Sequence, residues 1–255
     1  QCVKINEICS TSKTLLSGVP QGSILGPILF NIFLNDMITI FNKTDIYNFA
    51  DDNTLSVIAE NRDEILNVLC QESELAVNWF KENLMIVNPD KFQSMILDKQ
   101  DKNNISSELN ISGNKIKTKE SVKLLGISID NQLKFDTHVS NLCKQASMQL
   151  NVISRLKQYM GRKEIEVLLN SFIYSNFNYC PLVWNFCSCK SSSKIEQIQK
   201  RCLKLLLDDN VSDYKDLLHK SHRSTMVVKR LRVLAIEIFK TLNSLNPSYM
   251  KDIFS

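Results

Sequence analysis

The sequence predicts an α+β chain, with strands and helices mixed over residues 1–130 and helices alone over 131–255. Three observations predict it. Short β-prone runs bounded by turn residues recur in the first half, as at 46–50 and 54–58. In the same half, Ile65, Leu66, Leu69, Ala76, Trp79 and Phe80 recur at helical spacing. After residue 135 the apolar periodicity is helical, and no run there reads as a strand with comparable clarity.

Taken in order, a turn-rich segment over 16–23 leads into an apolar stretch over 24–40, which reads as a buried helix capped by Ser23. The runs 46–50 and 54–58 flank the polar pair Asp51-Asp52 and read as a hairpin. Residues 62–83 read as an amphipathic helix. Strands are expected around 84–87 and 93–97, joined by a turn at Asn88-Pro89-Asp90. A polar loop over 98–108 precedes a hairpin turn at Ile111-Ser112-Gly113-Asn114, and 122–129 reads as a strand carrying Gly126. Helices are expected over 136–160, 162–178, 191–207 and 224–244, with no Gly/Ser linker and no internal repeat.

Composition narrows the function classes. At 44% hydrophobic and 23% charged, the chain is an ordinary globular sequence, which excludes wholesale disorder. The apolar run over 24–34 is broken by Gly26, Pro27 and Asn31 and falls short of the ~20 residues a membrane span needs. The chain opens Gln1-Cys2-Val3, has its first Met at 37 and shows no signal peptide, so it is expected to be a fragment of a protein that is neither secreted nor membrane-bound. Residues 1–113 hold 8 basic and 15 acidic side chains, and residues 114–255 hold 23 and 12. The acidic half suits divalent cations and the basic half a polyanion, although basic helices also serve plain solubility. The eight cysteines lack framework spacing and are expected to be reduced thiols of a cytosolic or nuclear protein. Cys187-x-Cys189 is too tight, and His219 and His222 too distant, for the usual zinc knuckle.

Two features carry chemistry. Asp51-Asp52 sits at the tip of two apolar β-runs, where both carboxylates escape the up-down alternation of a strand and can share divalent metal. Asp208-Asp209 is the same dipeptide at the end of a basic helical stretch, where it reads as a solvated helix terminus. Gly18-Val19-Pro20-Gln21-Gly22-Ser23 opens a helix with glycines that permit close backbone approach to a ligand; a tight turn and cap without a ligand is the plainer reading. Trp79, Phe80 and Trp184 read as core aromatics, and Asp36 as a helix-end residue.

Gly18-Val19-Pro20-Gln21-Gly22-Ser23 followed by Phe49-Ala50-Asp51-Asp52 resembles the reverse transcriptases of non-LTR (LINE-type, jockey-like) retrotransposons. Asn88-Pro89-Asp90-Lys91, Lys123-Leu124-Leu125-Gly126-Ile127, and Asp130 to Phe135 with His138 resemble further family segments in the family's order. Tyr179-Cys180-Pro181-Leu182-Val183-Trp184 is similar to the region beyond the thumb. The resemblance implies a partial right-hand palm over 1–130, thumb-like helices over 131–180 and a basic helical region over 181–255.

It also implies RNA-directed DNA polymerase activity on an RNA template, a DNA primer and dNTPs, with Mg²⁺ or Mn²⁺. Asp51 and Asp52 would be the metal ligands, with Lys91 near the triphosphate as a third catalytic residue. Gln21, Gly22, Phe49 and Ala50 would contact nucleotide, template and primer terminus, and Leu125 and Gly126 would form the primer grip. Phe49 reads equally as a core aromatic, and Lys91, without the family context, as a solvated turn lysine. The basic helices would hold the primer–template backbone. The family's upstream aspartate strand is not found, since only 17 residues precede Gly18 and none is Asp; its fingers and an endonuclease are not found either, and the chain alone is expected to be inactive. Two other readings stay open: a non-catalytic nucleic-acid-binding remnant and a helical protein-interaction scaffold.

Overall fold

The computed structural model describes residues 2–14, 18–20, 22–98 and 106–254. They divide into two compact units, residues 1–94 with 105–119 and residues 95–104 with 120–255. Among the described residues the strands pair as four separate two-stranded antiparallel sheets.

In the first unit, β1 (Lys4–Ile5) and β2 (Ile8–Cys9) form a small exposed hairpin. Helix α1 (Gly26–Leu34) carries Pro27 in its first turn, and the Gly26 N–H donates to Ser23 Oγ at 2.9 Å. A 3₁₀ segment, Asn35–Ile40, follows. The buried helix expected over 24–40 is therefore corrected: it breaks at Asn35, and Ile24, Leu25, Ile28, Leu29 and Ile32 are exposed. A helix apolar all round buries only the stripe that meets a neighbour, here Leu34, with Met37 beyond it, against Trp79.

Strands β3 (Asp45–Phe49) and β4 (Asp52–Ser56) pair with Phe49 opposite Asp52 and Asp45 opposite Ser56. Helix α2 (Arg62–Glu82) begins where the Asn61 side chain accepts the Glu64 N–H at 2.8 Å, with Asp63 and Glu64 in its first turn and Lys81 in its last.

At the end of α2 the Leu84 N–H donates to the Lys81 carbonyl and the Met85 N–H to the Phe80 carbonyl, with Leu84 at φ 59°. The helix stop consumes these residues, so the strand expected at 84–87 does not form. The strand expected at 93–97 is reduced to one bridge, Ser94 with Thr118, because the segment meets the following hairpin only at its end. That hairpin is β5 (Glu108–Ile111) and β6 (Asn114–Lys117), turned by Ser112 and Gly113, both at positive φ. Leu109, Ile111 and Ile116 pack against Leu66, Leu69, Cys70, Val77 and Phe92. The polar loop expected over 98–108 lies partly outside the described residues.

The second unit opens with β7 (Ser121–Leu124) and β8 (Ile127–Asp130). The Asp130 carboxylate accepts the N–H groups of Gln132, Lys134 and Phe135 at 3.2, 3.0 and 2.6 Å, which folds the entry to α3 (Asp136–Leu156). Residues 162–178 are helical as expected, but in three parts: α4 (Arg162–Leu168), a π-helical turn over Leu169–Tyr174, and α5 (Ser175–Asn178). The wide turn swings Leu169, Ile173 and Tyr174 into the core. Helices α6 (Cys189–Leu207) and α8 (Met226–Leu242) match the expected segments, and α7 (Tyr214–Lys220) lies between them. Val139, Leu169, Ile173, Trp184, Ile195 and Cys202 centre one continuous core.

Candidate active site

The tip of the β3–β4 hairpin is a two-residue turn, Ala50-Asp51. Ala50 has φ 52°, a left-handed conformation that glycine adopts freely and alanine does not. Phe49, Ala50, Asp51 and Asp52 are all exposed. Phe49, left open between core and site by the sequence, is 65% exposed and so is no core aromatic.

The hairpin is anchored from below by a residue the sequence reading missed. Glu72 is a buried acid on the apolar stripe of α2. Its Oε2 accepts the Asn42 N–H at 3.1 Å and the Thr44 hydroxyl at 3.2 Å, which fixes the chain as it enters β3. The signal was present: one acid interrupts a helical run of Leu69, Ala76 and Trp79.

The two Asp-Asp pairs differ in their partners. Asp208 pairs with Lys157, and the Asp209 carboxylate accepts from Lys220, the Ser212 hydroxyl and the backbone N–H groups of Val211 and Ser212. Lys220 and Ser212 hold Asp209 far below the usual carboxylate range. Asp209 is thus committed to structure. The Asp51 and Asp52 carboxylates have no hydrogen bond or ion pair to any described residue; Asp51 is joined only through its carbonyl, which accepts from the Asn53 side chain at 3.3 Å. The expectation that both carboxylates sit in the turn is corrected: Asp51 is in the turn, whereas Asp52 is the first residue of β4, paired with Phe49. Two adjacent, exposed, uncommitted carboxylates supply oxygen donors for part of a hard-cation shell. Among the described residues no three His, Cys, Asp or Glu side chains gather as a metal site, and that includes the Cys187, Cys189, His219 and His222 set.

Gly22 stands in the turn before α1 at φ 83°, and Gln21 lies outside the described residues. Lys91 is exposed in a 3₁₀ turn, Pro89–Lys91, where the Asn88 side chain accepts the Asp90 N–H at 3.0 Å. No hydrogen bond or ion pair joins Gly22 or Lys91 to the hairpin tip among the described residues. Leu125 and Gly126 belong to the second unit and form the β7–β8 turn, at φ 46° and 86°. The Tyr179 hydroxyl donates to the Leu125 carbonyl at 2.6 Å.

The second unit also carries a basic face. Lys190, Lys194, Gln197, Arg201 and Lys204 recur at spacings of four and three along α6, with Lys200 beside them. Arg201 donates to Ser147 Oγ and Asn151 Oδ1 of α3, both at 3.2 Å, and Lys204 to the Asn210 carbonyl. None of these cations pairs with a carboxylate among the described residues.

Residues 1–129 match the family model described as "Reverse transcriptase (RNA-dependent DNA polymerase)". The chain belongs to this family. All nine sequence-predicted site residues, from Gln21 to Gly126, fall inside the matched segment. Among curated proteins of Drosophila melanogaster, this reverse transcriptase chain is similar to the probable RNA-directed DNA polymerase from transposon BS, at 22% identity over 81% of the chain and 24% of the relative. It is similar to the RNA-directed DNA polymerase from mobile element jockey, at 25% identity over 63% of the chain and 19% of the relative. It is similar also to the probable RNA-directed DNA polymerase from transposon X-element, at 24% identity over 80% of the chain and 23% of the relative. The chain therefore spans about a quarter or less of the length of these relatives. No solved structure matches it. Among the described residues no helix is long and apolar enough to cross a membrane.

Proposed function

We propose that the chain is the palm and downstream helical part of a non-LTR retrotransposon RNA-directed DNA polymerase, which extends a DNA primer on an RNA template by nucleotidyl transfer from dNTPs. The observation that carries this reading is the Asp51-Asp52 pair, exposed and uncommitted on a strained hairpin tip inside the segment that matches the family. The relatives' names, all polymerases of mobile elements, support it.

Asp51 and Asp52 would hold divalent metal, Mg²⁺ or Mn²⁺. When bound, such an ion activates the primer 3′-oxygen and neutralises the departing pyrophosphate. Phe49 and Ala50 shape the surface where the primer terminus lies, and Gln21 and Gly22 contact nucleotide and template. Lys91, on the 3₁₀ turn after α2, would carry its ammonium toward the triphosphate and could supply a proton to pyrophosphate. Leu125 and Gly126 hold the primer strand. The domain order is palm over 1–130, thumb-like helices over 131–180 and a basic helical region over 181–255. Eight free thiols fit a reducing compartment, cytoplasm or nucleus.

The reading is tested by Mn²⁺ titration of the purified chain, wild type against the Asp51→Asn/Asp52→Asn double variant. Binding is expected in the wild type and lost in the variant; binding that survives both substitutions overturns the site. With no third carboxylate gathered there among the described residues, the 255 residues alone are expected to extend no primer. Robust Mg²⁺-dependent dNTP incorporation, abolished by Asp51→Ala, would overturn that expectation.

A further inference from the structure

The β7–β8 turn has an unusual composition for its shape. Both of its residues are at positive φ, which Asn-Gly supplies readily, yet the first is Leu125. Leucine gains nothing from the left-handed region, and here a contact from outside the hairpin supports that conformation. Tyr179 provides one. Its hydroxyl donates to the Leu125 carbonyl at 2.6 Å, and its ring edge lies under Gly126, 3.7 Å from where a Cβ would stand.

Tyr179 is itself held from the far side. Cys180 at φ 42° reverses the chain, and the Tyr179 carbonyl accepts the Trp184 indole N–H at 3.3 Å. Trp184 is fully buried, and the Arg230 guanidinium of α8 lies over its ring at 5.3 Å. Arg230 is only 4% exposed; Nη2 donates to Ser192 Oγ at 2.8 Å, while Nε and Nη1 have no hydrogen-bond partner among the described residues. The face of the indole gives this buried cation a favourable contact. A path of contacts thus runs from α8 through Trp184 and Tyr179 to the turn, all within the second unit.

We propose that Tyr179, braced by Trp184 and Arg230, is a positioning residue for the Leu125-Gly126 turn, so that residues 179–230 set where the primer 3′-terminus rests. This rests on the reading of that turn as the primer grip. It gives the helical region beyond the thumb a part in polymerisation: it fixes the register of the primer and contributes no catalytic group.

The test uses the full 255-residue chain with a DNA primer annealed to an RNA template and a photoreactive thymidine analogue at the primer 3′-terminus. Crosslinks are mapped by mass spectrometry, total affinity is followed by fluorescence anisotropy, and folding by thermal melting. Wild type is expected to crosslink within residues 121–130. Tyr179→Phe, which removes only the hydroxyl, is expected to cut that crosslink about twofold, the low end of what one net hydrogen bond implies since this one is exposed to water, and to spread it to neighbouring residues with affinity and melting nearly unchanged. Arg230→Lys is expected to shift the crosslink in the same sense from a distance. A merely structural role would lower melting and affinity together and leave the crosslink position alone, which overturns the proposal. An unchanged crosslink in both variants overturns it while the primer-grip reading stands. A wild-type chain that crosslinks elsewhere overturns the primer-grip reading and the brace with it.

Discussion

At the scale of single residues, His138 links the hairpin to the helical core. It is 6% exposed in the first turn of α3, and its Nδ1 accepts the Ser128 N–H of β8 at 3.3 Å. Only an unprotonated Nδ1 can accept, and burial pushes the imidazole below its ordinary 6.5. The unfolded chain therefore takes up a proton first as pH falls. The contribution of His138 to stability is constant above about pH 6.5, falls as pH drops below it, and levels off below the folded pKa, by at most about 1.4 kcal/mol per pH unit for one proton. Urea unfolding from pH 7.5 to 5 is expected to show this slope, and His138→Asn, which keeps an acceptor but does not titrate, is expected to flatten it. An equal slope in the variant would assign the effect to other groups. Burial acts in the opposite sense on the thiols, pushing Cys143 up to about 11 and Cys202 up to about 12, so neither is a nucleophile at neutral pH.

At the scale of elements, α6 shows how one helix serves two purposes. Ile195, Ile198, Cys202 and Leu206 bury one face, and the opposite face is the run from Lys190 to Lys204. Glu196 faces away from that run: it accepts the Met226 and Val227 N–H groups at the start of α8. No carboxylate among the described residues forms an ion pair with them, and of those carboxylates only Asp136 feels the charge of Lys194, so the cations and their neighbouring Ser147 and Asn151 suit phosphate oxygens. Replacing Lys190, Lys194, Lys200 and Lys204 by Gln is expected to reduce the salt dependence of duplex binding by about 3–4 in log–log slope, measured by anisotropy between low and moderate salt. An unchanged slope would place the nucleic acid on another face.

Helices of this kind were legible in sequence because the apolar period is long: the stripe of α2 placed that helix to within a residue of 62–83, and the Asn61 cap that starts it was not read. Helix α7 was not legible, since seven residues burying only Leu217 give too short a period. The strand expected at 84–87 failed because local alternation carries no information about a partner, and the helix stop claimed the same backbone. The site divides the same way. The hairpin that carries Asp51 and Asp52 is contiguous in sequence and was readable, with its turn one residue earlier than expected, whereas Tyr179 reaches Leu125 across 54 positions and no local pattern announces it.

At the scale of the whole molecule, charge and core divide along the same line. The largest core lies wholly in the second unit, from Ile127 to Met226, and closes around side chains with no exposure, such as Val139, Leu169 and Ile195. The first unit has two small clusters, around Trp79 and around Leu109, and leaves one side of α1 exposed with Ile28 and Ile32. Apolar burial is the main favourable term in folding, so stability should follow this division. Residues 120–255 alone are expected to unfold in one cooperative transition worth about 5 kcal/mol or more, while residues 1–119 alone should melt broadly or associate through their exposed apolar surface. The basic excess lies in the later residues, so the 120–255 fragment should also retain salt-sensitive binding of an RNA–DNA hybrid and the 1–119 fragment should not. Fragment melting and anisotropy decide both points. A 120–255 fragment that folds yet fails to bind what the full chain binds would move the nucleic-acid surface to the acidic unit, where neutralising metal would then be needed for any contact with phosphate.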